Sequence, residues 1–300
     1  MPWEDLVSPA CLAASASPQP RDGGRAAVDA LCDFVRRHRR LFVLSGAGVS
    51  TASGIPGYRD AQGLWMRAAP VLLHDFLHSA TVRQRYWARS MAGWPLVAGA
   101  CPNGAHRALS QLEAAGHLEQ LVTQNVDGLH QRAGSRQIIE LHGNIGSVSC
   151  LDCGARHSRG SIQRKLEAEN PDLAGAAAAA AADGDAELGW QRDKWFNIPA
   201  CARCAGMLKP TVIFFGEGVP RARVESALHA LQEAEALLVV GSSLMVYSGY
   251  RFCLRAAELG KPIAAVNLGR TRADPLLALK LEQPCATALC GLVARLGIEP

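Results

Sequence analysis

Four of the ten cysteines form two C-x-x-C pairs, Cys150/Cys153 and Cys201/Cys204, and the other six are scattered. Two such pairs can give four thiolates to one tetrahedral zinc, a closed structural site. Each pair makes its own knuckle, so the long spacer between them matters little. A redox role suits two pairs in one irregular segment poorly. His142, in "ELHGN", has the side chain for general-base work, because an imidazole titrates near neutrality. A lone histidine, however, is more often a satisfied structural residue. In "TQNVDGLH", Gln124, Asn125 and Asp127 directly follow an apolar run. Such groups can bond ribose hydroxyls or position a water, or they can serve a turn through local backbone bonds. The stretch "GAGVSTASGIPGYRD", Gly46 to Asp60, follows Leu41-Phe42-Val43-Leu44. Its backbone N–H groups can approach an anion, with the next helix N-terminus adding positive potential. A hydride-transfer fingerprint would need a third glycine where Thr51 stands, so that chemistry fits weakly.

These groups need elements to hold them. Residues 1–24 are rich in Ala, Ser and Pro and read as a mobile tail. An amphipathic helix follows, with Val28, Leu31, Cys32 and Val35 on one stripe, and leads into the strand at Leu41 to Leu44. The alternation recurs three times. A helix around Ala105 to Ala115 precedes "LEQLVTQN", one from Pro220 precedes "ALLVVGSS", and one ending at Gly260 precedes "IAAVNLG". Short, continuous apolar strands predict a parallel sheet buried on both faces. The polar ends "SGAG", "TQNVDG", "GSS" and "NLG" should then meet in one crevice. The expected class is α/β: a Rossmann-like doubly wound parallel sheet formed by 25–144 and 211–300. A smaller zinc-ribbon-containing domain is expected at 145–210, where "AGAAAAAAAADGDAELG" reads as an insert helix.

A net charge of +4 is mild for 300 residues, and nucleic acid is not an expected partner. No apolar run approaches the ~20 residues of a membrane span. The N-terminus carries Glu4 and Asp5 and lacks the basic start of a signal peptide. A reducing compartment is expected: the cytoplasm for a bacterial chain, or the mitochondrial matrix for a eukaryotic one.

The ordered motifs "GAGVSTASGIPGYRD", "TQNVDGLH", "LHGN", two C-x-x-C pairs, "KPTVIFFGE", "VVGSSLMVYS" and "AVNLG" resemble those of sirtuins, NAD-dependent protein deacylases. The match runs from about residue 28 to 290, and "QRYWARSMAGWP" looks most like class II. The resemblance implies NAD as a consumed co-substrate, one structural zinc, and acyl-lysine proteins as partners. It implies His142 as base, with Gln124, Asn125 and Asp127 orienting the nicotinamide ribose and a water. Gly46, Ala47, Gly48, Ser50, Pro56, Tyr58 and Arg59 should face the pyrophosphate and nicotinamide half. Gly241, Ser242 and Ser243 should hold phosphate and ribose. Asn267, Leu268 and Gly269 fall at the adenosine ribose, and Cys285 near adenine; Cys285 otherwise reads as a core cysteine. The peptide should add as a strand beside Val212, Phe214, Phe215, Gly216 and Val246.

"GLWMRAA" holds Arg67 but lacks the tyrosine of desuccinylase-type members, so neutral acyl groups are expected over acidic ones. Gly57 stands where most members carry Asp and desuccinylase-type members carry Thr. It removes an acceptor for the nicotinamide amide. ADP-ribosyl transfer and a weakly catalytic NAD-binding sensor or scaffold remain the alternatives.

Overall fold

The computed structural model describes residues 22–58, 60, 70–173 and 196–299. Almost all of the expected tail and the polyalanine insert lie outside these residues. Helix α1 (Asp22–Arg37) nevertheless already includes the last positions assigned to the tail.

Six strands form one parallel sheet: β1 (Leu41–Ser45), β2 (Leu118–Thr123), β3 (Ile138–Glu140), β7 (Ala236–Val240), β8 (Ile263–Val266) and β9 (Leu279–Leu281). Their spatial order is β3-β2-β1-β7-β8-β9. Alternation along β1 divides the core in two. Leu41 and Val43 pack with Val28 and Leu31 of α1, Leu109 of α4 (Gly104–Ala114) and Leu289 of α9 (Cys285–Leu296). Phe42 and Leu44 face the other side, with Leu231 of α7 (Arg221–Glu233) and Phe252 of α8 (Tyr247–Glu258). Both faces are covered, which is why these strands read as unbroken apolar runs.

A second, antiparallel sheet has the order β5-β4-β6, from β4 (Gly143–Cys150), β5 (Arg156–Ser158) and β6 (Leu208–Val212). It starts before residue 145 and ends after residue 210. Its core takes Val148, Leu208 and Phe196 together with Ile162 and Leu166 of α6 (Arg159–Glu169). It also takes Phe76 of α2 (Leu73–His78) and Tyr86, Trp87 and Met91 of α3 (Ala80–Gly99). Those two helices fall inside the span expected for the large sheet, yet their aromatic face belongs to the smaller layer. Arg159 fastens α6 to α3. It is fully buried, donates to Gln163 and to Ser90, and lies 4.9 Å from the Trp94 ring centroid.

The strand order reverses between β1 and β7, and the turns that leave these strands interlock there. Gly46 N–H donates to Val240 O at 3.0 Å, and Gly48 N–H to Gly241 O at 2.8 Å. A Cβ on Gly48 would lie 2.9 Å from the Gly241 backbone; one on Gly241, at φ +62, would lie 2.4 Å from Val49 N. Glycine is required at this junction because two backbones occupy side-chain space.

The strain and the clash can be separated. Gly54, also left-handed at φ +83, has open space around its missing Cβ. Gly54→Ala should cost about 1 kcal/mol of unfolding free energy, the cost of left-handed backbone alone. Gly241→Ala should cost at least about 3 kcal/mol, because one turn must also move off the other. Denaturant unfolding of both variants tests this, and equal losses would contradict the interlock.

Candidate active site

The carboxyl ends of β1, β2, β7 and β8 open onto a cleft of ≈ 820 Å³. Its wall includes Gly46, Ala47, Gly48, Pro56, Gly57, Tyr58, Gln124, Asn125, His142, Gly241, Ser242, Ser243, Asn267, Leu268 and Cys285. Val212, Phe214, Phe215, Gly216 and Val246 line the side toward the smaller sheet. Ser50, Asp127 and Gly269 do not reach the wall. Arg59 and Arg67 lie outside the described residues. The turn after β1 continues as two single-turn 3-10 helices, Ala47–Val49 and Thr51–Ser53. The helix dipole expected there is therefore missing. Bare N–H groups line that end of the cleft instead: those of Ala47 and Ser243 have no protein acceptor among the described residues.

His142 stands at the joint of the two sheets, between β3 and β4. Gly143 follows it at φ +82, where a Cβ would lie 2.0 Å from Thr211 O. Ile213 N–H donates to the His142 carbonyl at 2.8 Å. The backbone is thus pinned to the exit of β6. Nδ1 lies 3.0 Å from the Gln124 carbonyl, which can only accept, so Nδ1 carries the proton. Nε2 then presents its lone pair and takes the Ser248 hydroxyl at 2.7 Å. The His142 pKa is lowered to about 4, chiefly by burial and to a lesser degree by the Arg223 and Arg251 charges, against the Gln124 hydrogen bond, which raises it. The imidazole is neutral at pH 7, with Nε2 as the basic atom. Ser248 escaped the sequence reading as a partner of His142. Its only signal was its place in the first turn of the helix after "GSSLMV".

Gln124 is a brace. Its Nε2 donates to Ser242 Oγ at 2.8 Å and to Ser45 O at 3.3 Å. A Cβ on Gly249 would lie 2.4 Å from its Oε1, so α8 can approach only through glycine. Asn125 is held from behind by Ser50. Ser50 Oγ receives Asn125 Nδ2 at 3.0 Å and donates to Asp127 Oδ2 at 2.7 Å. Asp127 Oδ1 caps Leu129 N–H at 2.9 Å. Burial nonetheless keeps its carboxyl above the usual range, against the bonds from Leu129 and Ser50. Ser50 and Asp127 therefore bear on the cleft wall through Asn125. Beneath them His106 takes Asn103 N–H on Nδ1 at 3.3 Å and faces Ser50 with Nε2 at 3.4 Å. His130 Nε2 is bonded to Ser45 at 2.8 Å.

Cys285 is the first residue of α9 and nearly buried. Burial pushes its thiol up to about 12, so it is a wall residue without nucleophilic reactivity.

The four paired cysteines converge away from the cleft, with all Sγ atoms within 4.8 Å of one another. Cys150–Cys204 and Cys153–Cys201 are 3.5 and 3.8 Å apart. A zinc–sulfur bond of about 2.3 Å in a tetrahedron requires edges of about 3.8 Å, so the set fits zinc. The Arg203 N–H and then the His157 imidazole draw Cys201 down to about 6, whereas Cys153 pushes Cys204 up to about 12. A dication at the centre lets all four be thiolates at once.

The Sir2 family model matches residues 46–248. The chain is 58% identical over 263 residues to an NAD-dependent protein deacetylase of Xanthomonas campestris pv. campestris (strain 8004), covering 88% of this chain and 90% of the relative. It is 54% identical to an NAD-dependent protein deacetylase of Bordetella bronchiseptica, covering 89% and 97%. Among solved structures, a Sir2 with a p53 peptide and NAD+ superposes with TM-score 0.72 at 28% identity, over 91% of this chain and 99% of that one. Sir2Tm bound to a propionylated peptide gives the same TM-score, 0.72, at 28% identity over 91% and 99%.

The buried imidazoles set a dependence on pH. His106 sits well below 6.5, and His130 and His142 near 4, each chiefly through burial. The unfolded chain binds more protons below pH 6.5, so their contribution is complete above that value and fades as pH falls toward 4. Each histidine contributes up to about 1.4 kcal/mol per pH unit across that window. Denaturant unfolding at pH 7.5, 6 and 5 should show this decline, and a flat profile would contradict burial in the neutral form.

Proposed function

The chain belongs to the Sir2 family, and from that premise we propose how its cleft carries out NAD-dependent deacylation of protein lysines. The enzyme consumes NAD and one water: nicotinamide leaves, the acyl group passes from lysine to ADP-ribose, water completes the transfer, and the products are free lysine and O-acyl-ADP-ribose. The observation that carries the residue assignment is the imidazole of His142. The Gln124 carbonyl fixes its proton on Nδ1, and its Nε2 meets the Ser248 hydroxyl, both residues lining the cleft.

In this reading Ala47, Gly48, Gly241, Ser242 and Ser243 hold the pyrophosphate and its ribose, while Asn267 and Leu268 flank the adenosine. Asn125, fixed by Ser50 and Asp127, orients the nicotinamide ribose. The peptide lies between Val212–Gly216 and Val246 as an added strand. The cleft's main contribution is to bring a weak nucleophile, the acyl oxygen, in line with the ribose carbon and to exclude water. His142 Nε2 then takes the proton of a ribose hydroxyl, which replaces the Ser248 hydroxyl on that lone pair. The large unit, 25–144 and 211–300, supplies these groups. Zinc, when bound to Cys150, Cys153, Cys201 and Cys204, ties the two knuckles of the small unit. Acetyl and longer neutral acyl groups are the proposed substrates. No helix among the described residues is long and apolar enough to cross a membrane, and we place the enzyme in the cytoplasm.

Mass spectrometry of acyl-lysine peptides incubated with NAD should show free lysine and O-acyl-ADP-ribose. His142→Ala should lower turnover at least about 100-fold. ADP-ribose left on protein, or NAD binding without turnover of any peptide, would overturn the assignment. Gly57 lines the cleft and is not among the glycines held at positive φ, so an aspartate can replace it. Gly57→Asp should lower the KM for NAD about fivefold, the worth of roughly one recovered hydrogen bond; an unchanged KM would remove position 57 from nicotinamide binding.

A further inference from the structure

Arg251 lies on the cleft wall, in the same helix as Ser248 and three residues beyond it. Its guanidinium sits 5.2 Å from the ring centroid of Tyr247, which is 56% exposed at the rim. Among the described residues it has no carboxylate and no hydrogen-bond acceptor, and its Nε is buried and unpaired. Arg270 also lines the cleft, beside Leu268, whereas two further cations are committed elsewhere. Arg223 donates to the Leu141 carbonyl at 3.1 Å, and Arg272 stacks on Tyr250 at 4.3 Å. Glu217, an acid of the same wall, is held by Lys209 at 3.0 Å and by Phe214 N–H at 2.8 Å.

A guanidinium is a planar fork of donors that matches a carboxylate; here Nε is buried without a partner, which is costly, while the residue as a whole is only half-buried on the cleft wall. The bound state must therefore bring the acceptor. The NAD phosphates have their own cradle at Ala47 and Ser243, whereas Arg251 stands on the His142–Ser248 side, where acyl transfer takes place. We propose that Arg251 receives a carboxylate carried by a residue flanking the acyl-lysine of the substrate. This rests on the deacylase reading, since it takes the peptide to pass along Val246. Arg251 is also one of two charges that depress His142, so a carboxylate bound there makes the base stronger.

The test uses the full chain, NAD and three peptides: acetyl-lysine between neutral residues, acetyl-lysine between glutamates, and succinyl-lysine between neutral residues. The glutamate-flanked peptide should exceed the neutral one in kcat/KM by about tenfold, about one charge-assisted contact; a gain confined to succinyl-lysine would overturn the assignment to a flanking residue. Arg251→Gln should bring that ratio to about one, and Arg251→Lys, which keeps charge without the fork, to an intermediate value. Because the ratio is taken within one variant, loss of folded protein cancels. No anionic preference in the wild type, or one that persists in Arg251→Gln, overturns the proposal. So does a raised KM for NAD with the ratio intact, which assigns Arg251 to phosphate. Failure of the wild type to turn over any of the three peptides would instead sink the deacylase reading itself.

Discussion

Two backbone turns occupy each other's side-chain space where the sheet reverses its order, and the site is hung from that contact. Gly48 N–H reaches Gly241 O at 2.8 Å only because neither residue has a Cβ. The contact brings Ala47 and Ser243, whose N–H groups have no protein acceptor among the described residues, to the wall of one crevice. It also places Ser242 Oγ within 2.8 Å of Gln124 Nε2. Gln124 then offers its carbonyl to His142, fixing which ring nitrogen is basic. Four elements far apart in the chain are thus positioned by a single steric demand.

Desolvation is the second theme. His106, His130 and His142 are all buried enough to stay neutral, and each has at least one ring nitrogen satisfied. A neutral, tautomerically fixed imidazole is ready to accept a proton without first losing one. The cost is a fold that loses stability in acid. The buried Ser45, Ser50 and Thr123, with the half-buried Asp127, also keep Asn125 rigid, so precision at the wall comes from polar groups that do not line the cleft.

Much of this was legible in the sequence where the signal is local. Apolar runs ending in "GAG", "TQN", "GSS" and "NLG" mark strand ends, and paired cysteines mark a knuckle whatever the spacer. The unread part is non-local. Ser248 meets His142 across 106 positions, and no spacing rule links them. Short edge strands such as β3 and β9 carry too few residues for periodicity to show. Helices α2 and α3 lie upstream of the cysteines, yet Phe76, Tyr86 and Trp87 pack with the small sheet. The glycine stretch suggested a helix dipole, but Gly54 at φ +83 ends a 3-10 turn there. Asp127 and Ser50 share the motifs of wall residues and sit behind the wall, which only the three-dimensional path reveals.

The central claim is that Gln124 holds the proton of His142 on Nδ1 and leaves Nε2 as a free base at neutral pH. Nitrogen-15 NMR of the ring, assigned by comparison with His142→Ala, reads the tautomer and the titration together. The account predicts Nδ1–H, an unprotonated Nε2 at pH 7, and a titration midpoint near 4. A proton on Nε2, or a midpoint at the ordinary value of about 6.5, would contradict it.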